Sequence, residues 1–328
     1  MTRARLSELL LRNMTAFIFI AVFLYFGLQA PRFFGIESIA NIVKQASFIG
    51  VIAVGMTFVL LTAGIDLSVG SNMYLSAMAT GYLLQNPAFQ NAWGVVAAIA
   101  VGMGAGIAFG AINAFCIVVL RITPFLVTLA TLVAGRGLGT AITESFGIEY
   151  PAVYLAFGAS DLFGIPMPII VFAIVVLSAH IVLSRTQFGR QIYAVGNDPE
   201  AARKAGIAVD RIVFAAYVIC GLCAAIGGVT LIALIGRLNQ TFGVGKEFDV
   251  ITAAVLGGTS LFGGVGTAWG AVVGSTLVQM VQSGMIFIGV NLYVQPMVLA
   301  VIIFLAILID ALRSARLEKL RRRMLRPD

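Results

Sequence analysis

The sequence predicts an all-α, polytopic integral membrane protein, and three observations carry that reading. Of its 328 residues, 60% are hydrophobic and 11% charged, where soluble domains carry about a quarter charged, and the mean hydropathy is +1.02. Apolar runs near the length of about 20 residues that a spanning helix needs tile nearly the whole chain. The 21 Lys and Arg residues are also unevenly distributed. Only Arg32, Lys44, Arg136, Arg237 and Lys246 fall outside or within a span; the rest mark the cytoplasmic side by the bias of basic residues toward inner loops. The result is a single transmembrane domain over residues 1–328 with about ten spans, some broken or re-entrant, and both termini inside. The net charge of +7 therefore reports topology, and no nucleic-acid partner is expected.

The first apolar run, Met14–Ala30, follows Arg3, Arg5 and Arg12 and lacks a small-residue cleavage pattern, so it reads as a retained span and not a signal peptide. The second, Ile39–Thr62, begins with Asn41, Lys44, Gln45 and Phe48 on neighbouring turns, a polar end that suits a pathway mouth or an interfacial anchor. TAGIDLSVGSNMYLSA follows at 62–77. Gly64 breaks the span, Asp66 can cap a helix starting at Leu67, and Ser68, Ser71 and Asn72 place polar groups on its first turns. A carboxylate at the bilayer centre costs about 2.5–3.5 kcal/mol, so Asp66 needs a cap, a partner or water. Span three ends near Leu84. Span four, Trp93–Leu120, carries Gly102, Gly106 and Gly110 at four-residue spacing, which lets backbones approach closely. Pro124 opens span five, where Arg136 either snorkels or pairs with Glu144 or Glu149. Pro151–Pro166 reads as an outer amphipathic or re-entrant piece, and Met167–Ser184 returns inward.

Arg185 to Arg211 is the one long polar segment between the two apolar halves. A short helix is spelled out in it: Asn197 as cap, Pro199 in the first turn, Glu200 completing a capping box, and Gly206 as a left-handed stop. A helix this short is marginal alone and should lean on a surface. Ile212–Gly236 then exits, and Arg237–Asp249 forms an outer loop. In VITAAVLGGTSLFGGVGTAWGAVVGS, 250–275, the apolar run before Gly263 is too short to span alone, so it is a half-helix or a span completed by a glycine-rich break. Gly266, Gly270 and Gly274 form a second stripe. The last span, Val294–Leu312, leads to a basic tail at 313–328 suited to anionic lipids of the inner leaflet.

Several chemistries are missing from the sequence. There is no GxxxxGK[ST] phosphate loop, no HExxH, no metal-spaced His/Cys cluster and no nucleophile elbow. These absences argue against an enzyme and against ATP hydrolysis by this chain, and no metal site and no cofactor of its own are expected. Cys116, Cys220 and Cys223 lie in apolar spans and serve packing.

Four motifs in order resemble the permease subunits of ATP-binding-cassette importers for monosaccharides of the ribose, xylose and galactose type: VGMTFVLLTAGIDLSVGS at 54–71, TPFLVTLATLVAGRGL at 123–138, RTQFGRQIYAVGNDPEAARKAGI at 185–207, and AAVLGGTSLFGGVGTAWGAVVG at 253–274. The run Glu200-Ala201-Ala202 with Gly206 is similar to the broader permease signature for docking an ATPase. The resemblance implies a second permease subunit, cytoplasmic ATPase subunits that use ATP and Mg, a periplasmic sugar-binding protein, and the bacterial inner membrane. On that reading the 185–211 segment is the coupling handle, with Asn197, Asp198, Pro199, Glu200, Arg203, Lys204 and Gly206 at the ATPase contact. Asn41, Gln45, Asp66, Ser68, Ser71 and Asn72 are the candidate path for a neutral sugar. A branched-chain amino-acid permease of the same architecture and a stand-alone ion-coupled carrier are the alternatives.

Overall fold

Small residues and helix breaks, more than loops, determine how this chain packs. The computed structural model describes residues 14–302, 304–305 and 308; the basic tail and part of the expected last span lie outside the described residues. The helices are α1 (Met14–Gln29), α2 (Ile36–Leu61), α3 (Val69–Gln85), α4 (Ala92–Val118), α5 (Pro124–Thr143), α6 (Ala152–Ala159), α7 (Met167–Arg185), α8 (Gln187–Asn197), α9 (Pro199–Lys204), α10 (Val209–Ile235), α11 (Lys246–Leu256) and α12 (Ala268–Phe287). Residues 295–302 are helical again. Six of these, α2, α4, α5, α7, α10 and α12, are long and apolar enough to cross a membrane. The architecture is all-α and multi-pass, and among the described residues the strands beside the helices are only two residues long.

The centre is α2, whose residues from Ala46 to Leu61 are all buried, with α7, α10, α11 and α12 around it. In contrast, α4, α5 and α7 each bury only about a quarter of their most apolar stretch and present Val, Ile, Leu and Phe outward, a surface suited to lipid or to another apolar partner.

The first glycine stripe packs as its spacing implies. A Cβ on Gly106 would collide with Ala225, one on Gly110 would lie 2.5 Å from the Tyr217 carbonyl oxygen, and one on Gly221 would lie 2.5 Å from that of Gly106. The α4 and α10 backbones are thus in direct contact. Gly270 and Gly274 of the second stripe seat α12 against Gly257 and Ala253 at the end of α11, whereas Gly266 lies before α12 and packs on Thr259.

Some expectations change. The Pro151–Pro166 piece is a short helix, α6, followed by a two-residue hairpin, β2 (Asp161–Leu162) on β3 (Ile165–Pro166). β1 (Ile148–Glu149) pairs antiparallel with β4 (Arg237–Leu238), tying the start of the supposed outer loop to the segment after α5. That loop also ends earlier than expected, because α11 begins at Lys246.

Substituting Gly221→Ala should therefore lower detergent-solution thermal stability by about 1–3 kcal/mol through overpacking. Gly104→Ala, on the facing helix α4 with nothing within 4 Å of an added Cβ, should be neutral or stabilising by up to about 1 kcal/mol from helix propensity.

Candidate functional site

A helix interrupted inside a bilayer frees backbone groups that must find partners within the protein. At the first interruption, Thr62 Oγ1 donates to Val59 O (2.7 Å), Gly64 N to Val59 O (3.2 Å), and Ala63 takes φ 58°. Tyr217 hydroxyl and Thr128 hydroxyl both donate to the Ile65 carbonyl, at 3.1 and 3.5 Å. Asp66 does not cap a helix at Leu67. Its Oδ1 accepts from Ser68 N (2.9 Å) and Ser68 Oγ (2.6 Å), closing a turn, and α3 starts at Val69. Asn113 Nδ2 donates to Ser68 Oγ (2.7 Å), tying that turn to α4.

The polar side chains that follow are engaged between helices. Asn72 Nδ2 donates to the carbonyls of Gly106 (3.1 Å) and Gly221 (3.3 Å), and its Oδ1 accepts from Ser76 Oγ (3.0 Å). Ser71 Oγ donates to Leu132 O (2.6 Å). Asp66, Ser68, Ser71 and Asn72 are all buried to 2% exposure or less. Of the six candidate path residues, Asn41 and Gln45 are exposed near the other end of α2, and only Gln45 lines the cavity described next.

The second interruption is α11. Its 11 residues rise about 16 Å at 1.5 Å each, half of the about 30 Å hydrocarbon core, so the stretch beginning at Val250 is a half-helix. Gly258 at φ 92° turns the chain after it. Between α2, α10, α11 and α12 lies a cavity of about 240 Å³ whose polar lining is Gln45, Lys246, Gln279 and Gln282. Lys246 Nζ pairs with Asp249 Oδ2 at 2.8 Å, and Gln282 Nε2 donates to the same oxygen at 3.3 Å.

Arg136 has partners other than those its neighbours in sequence suggest. Its guanidinium donates to the Phe242 and Gln240 carbonyls and lies over the Tyr74 ring, 5.4 Å from the centroid. A Cβ on Gly70 would sit 2.5 Å from Glu247 Oε2 and 3.3 Å from Arg136 Nη2, so these two charges flank Gly70. Glu144, an expected partner, is instead the left-handed C-cap of α5 at φ 48°.

The polar segment forms two helices. Thr186 Oγ1 accepts from Gly189 N (3.1 Å) to cap α8. Asn197 is the last residue of α8, its Nδ2 donating to Tyr193 O (2.8 Å). The cap of α9 is Asp198, whose Oδ1 accepts from Glu200 N (3.0 Å) and Ala201 N (2.9 Å) with Pro199 in the first turn. Gly206 has the expected positive φ, 82°. Asn197, Asp198, Pro199, Glu200, Arg203, Lys204 and Gly206 are all exposed, while Ile192, Val195 and Ala202 are buried beneath. Asp210 pairs with Arg121 (2.8 Å) and Arg203 (3.6 Å), in solvent where such pairs contribute little.

This helix pair rests on both interruptions. A Cβ on Gly196 would overlap the Leu61 carbonyl and come 2.5 Å from Gly264 N, and Gly264 N itself donates to Leu61 O (3.0 Å). Tyr193 hydroxyl donates to Gly266 O at 2.7 Å. Burial pushes its phenol pKa up, favouring the neutral form that donates this bond. Sequence reading did not single out Gly196, Tyr193, Glu247, Gln279 or Gln282; two glutamines three residues apart in an otherwise apolar helix were the available signal for the last pair. Among the described residues no group of His, Cys, Asp and Glu is placed to hold a metal.

The family described as the permease component of the branched-chain amino acid transport system matches residues 38–309. The chain is 35% identical over 286 residues to the ribose import permease protein RbsC of Escherichia coli (strain K12), covering 86% of this chain and 88% of that one. It is 36% identical over 293 residues to RbsC of Bacillus subtilis (strain 168), covering 87% and 88%. It is 33% identical over 304 residues to the D-allose transport system permease protein AlsC of Escherichia coli (strain K12), covering 92% and 91%. No solved structure matches.

Asp198→Ala should speed hydrogen exchange at the Glu200 and Ala201 amides about fivefold, the loss of about 1 kcal/mol expected of a missing cap. Asn197→Ala should leave those amides within twofold of wild type, about the scatter of an ordinary surface change.

Proposed function

This chain belongs to that family of transport-system permease components, and from that membership we propose that it forms the path for a monosaccharide in an ATP-driven importer. The observation that carries the reading is that relatives named for ribose and allose transport align over most of both chains. The cavity chemistry supports it: its charged lining side chain, Lys246, is already paired with Asp249, so a branched-chain amino acid would find no free charges for its ammonium and carboxylate.

In this proposal the chain crosses the bacterial inner membrane about ten times with both ends in the cytoplasm, α1, α3, the half-helix α11 and the segment from 295 completing the six long spans. Asn197, Asp198, Pro199, Glu200, Arg203, Lys204 and Gly206 form the exposed face that meets a separate ATPase. The ATPase, and not this chain, binds ATP and Mg. A second permease subunit completes the membrane unit, and a periplasmic sugar-binding protein delivers the substrate. Asn41 and Gln45 lie toward the delivery side. Asp66, Ser68, Ser71 and Asn72 act in the path mainly by fixing the helices that flank it.

The structure of the helix pair supports a coupling route. Closing of paired ATPases would displace α8 and α9 as a rigid body. That displacement bears on Leu61 and on the 263–266 turn through Gly196 and Tyr193, and the 257–267 connection joins directly to α11. Because Lys246 and Val250 of α11 line the cavity, the motion changes the cavity without chemistry in this chain.

With its ATPase and binding protein in proteoliposomes, the chain should take up labelled ribose, allose or galactose only when ATP and the binding protein are both present. Uptake driven by an ion gradient without the ATPase, or a preference for leucine, would contradict the proposal. In copurification, Glu200→Arg and the Arg203→Glu/Lys204→Glu pair should each release the ATPase while the permease still inserts and folds.

A further inference from the structure

We propose that the cavity between α2, α10, α11 and α12 is itself a binding site for a neutral monosaccharide, read by an amide cluster of Gln45, Gln279 and Gln282. This rests on the sugar-permease reading above and extends it to a site within one subunit, at residues largely different from those the sequence motifs suggest.

Three features of the cavity converge on that ligand class. The first is the donor and acceptor set. A sugar hydroxyl both donates and accepts, and of the common side chains a primary amide offers two donors and an acceptor with no charge. The Gln45 side chain makes no hydrogen bond to the described residues. Gln279 uses its Nε2 on Ser283 of its own helix (3.2 Å) and Gln282 uses its Nε2 on Asp249, which leaves both amide oxygens open to accept. An amide inside a membrane helix bundle is costly when unpartnered, and Gln279 is 7% exposed; a polyol hydroxyl or the water it displaces supplies the partner. Gln279 and Gln282 lie three residues apart and so share one face of α12.

The second feature is the wall. Phe48, Ile52, Met73, Leu231 and Val250 line the rest of the cavity, an apolar surface for the C–H face of a sugar ring, with the amides at its hydroxyl edge. The volume of about 240 Å³ falls below the range of about 300–1,000 Å³ for drug-sized ligands, which suits one small ring and not an oligosaccharide. The third is charge. Lys246 is held by Asp249 at 2.8 Å, so an anion or a zwitterion would have to compete with that carboxylate for the one ammonium that lines the cavity.

The test uses the complete transporter in proteoliposomes. Gln45→Cys, in a background with Cys116, Cys220 and Cys223 replaced by Ser, is labelled from outside by a membrane-impermeant methanethiosulfonate reagent. Added ribose should slow labelling, and leucine should not. Gln279→Leu and Gln282→Leu should each lower ATP-dependent ribose uptake about tenfold, a change of about 1.4 kcal/mol and close to the net worth of one hydrogen bond. Their membrane insertion and ATPase association, which report folding, should stay at wild-type levels. Labelling that ribose does not affect, together with unchanged uptake by both leucine variants, would overturn the site while leaving the sugar-permease reading standing. Protection by leucine in place of ribose would overturn the ligand class. If the wild-type complex transports no monosaccharide, the sugar reading itself fails and this assignment with it.

Discussion

The structure depends on one constraint: backbone groups released by breaking a helix inside a bilayer must be satisfied by the protein itself. The chain breaks twice, after Leu61 and after Leu256, and it meets the constraint by bringing the two breaks together. Gly264 N donates to Leu61 O, and Tyr193 hydroxyl reaches Gly266 O. Only glycine at 196 lets the polar helix pair lie against that junction, since a Cβ there would overlap Leu61 O. The same bonds that satisfy the membrane therefore join the exposed pair to the half-helix lining the cavity.

A second set of contacts makes the frame around that junction. Asn72 bridges α3 to the carbonyls of Gly106 and Gly221, at a point where glycines have already brought α4 and α10 into backbone contact. Hydrogen bonds between membrane helices are each worth only about 0.6–2 kcal/mol, so close packing carries most of the association and the amide fixes its register. Arg136 does a comparable task nearer the opposite end, holding the Gln240–Phe242 stretch beside Glu247.

Local signals in the sequence were enough for the all-α, multi-pass character, the first glycine stripe and the short helix α9, because hydropathy, small-residue spacing and turn residues act over a few positions; the helix α8 before it was not read, and Gly266 of the second stripe lies ahead of α12. They located Asp66 as a carboxylate needing partners and 250–262 as too short to cross alone. The cap of α9 was displaced by one residue: Asn197 and Asp198 are both good caps, and Pro199 at the first helical position in fact points to Asp198. The partners of Arg136 were not legible, since Phe242 and Glu247 are over 100 positions away in the chain while Glu144 and Glu149 are near. The amide cluster was half visible for the same reason; Gln45 stood out at a helix end, but nothing local joins it to Gln279 and Gln282. The hydroxyl at 71 and the amide at 72 looked free in sequence because the carbonyls that engage them belong to other helices, whereas Ser68 is held by Asp66 two residues before it and by Asn113 of α4.

The central claim is that the exposed helix pair moves the cavity by resting directly on the two helix breaks. Gly196→Ala in the complete transporter tests it most directly, because the added Cβ must lift the pair off Leu61 without altering the ATPase-facing surface. Sugar transported per ATP hydrolysed should fall well below the native ratio while the ATPase stays bound and ATP hydrolysis continues. A native ratio in that variant, with the complex intact, would contradict the account.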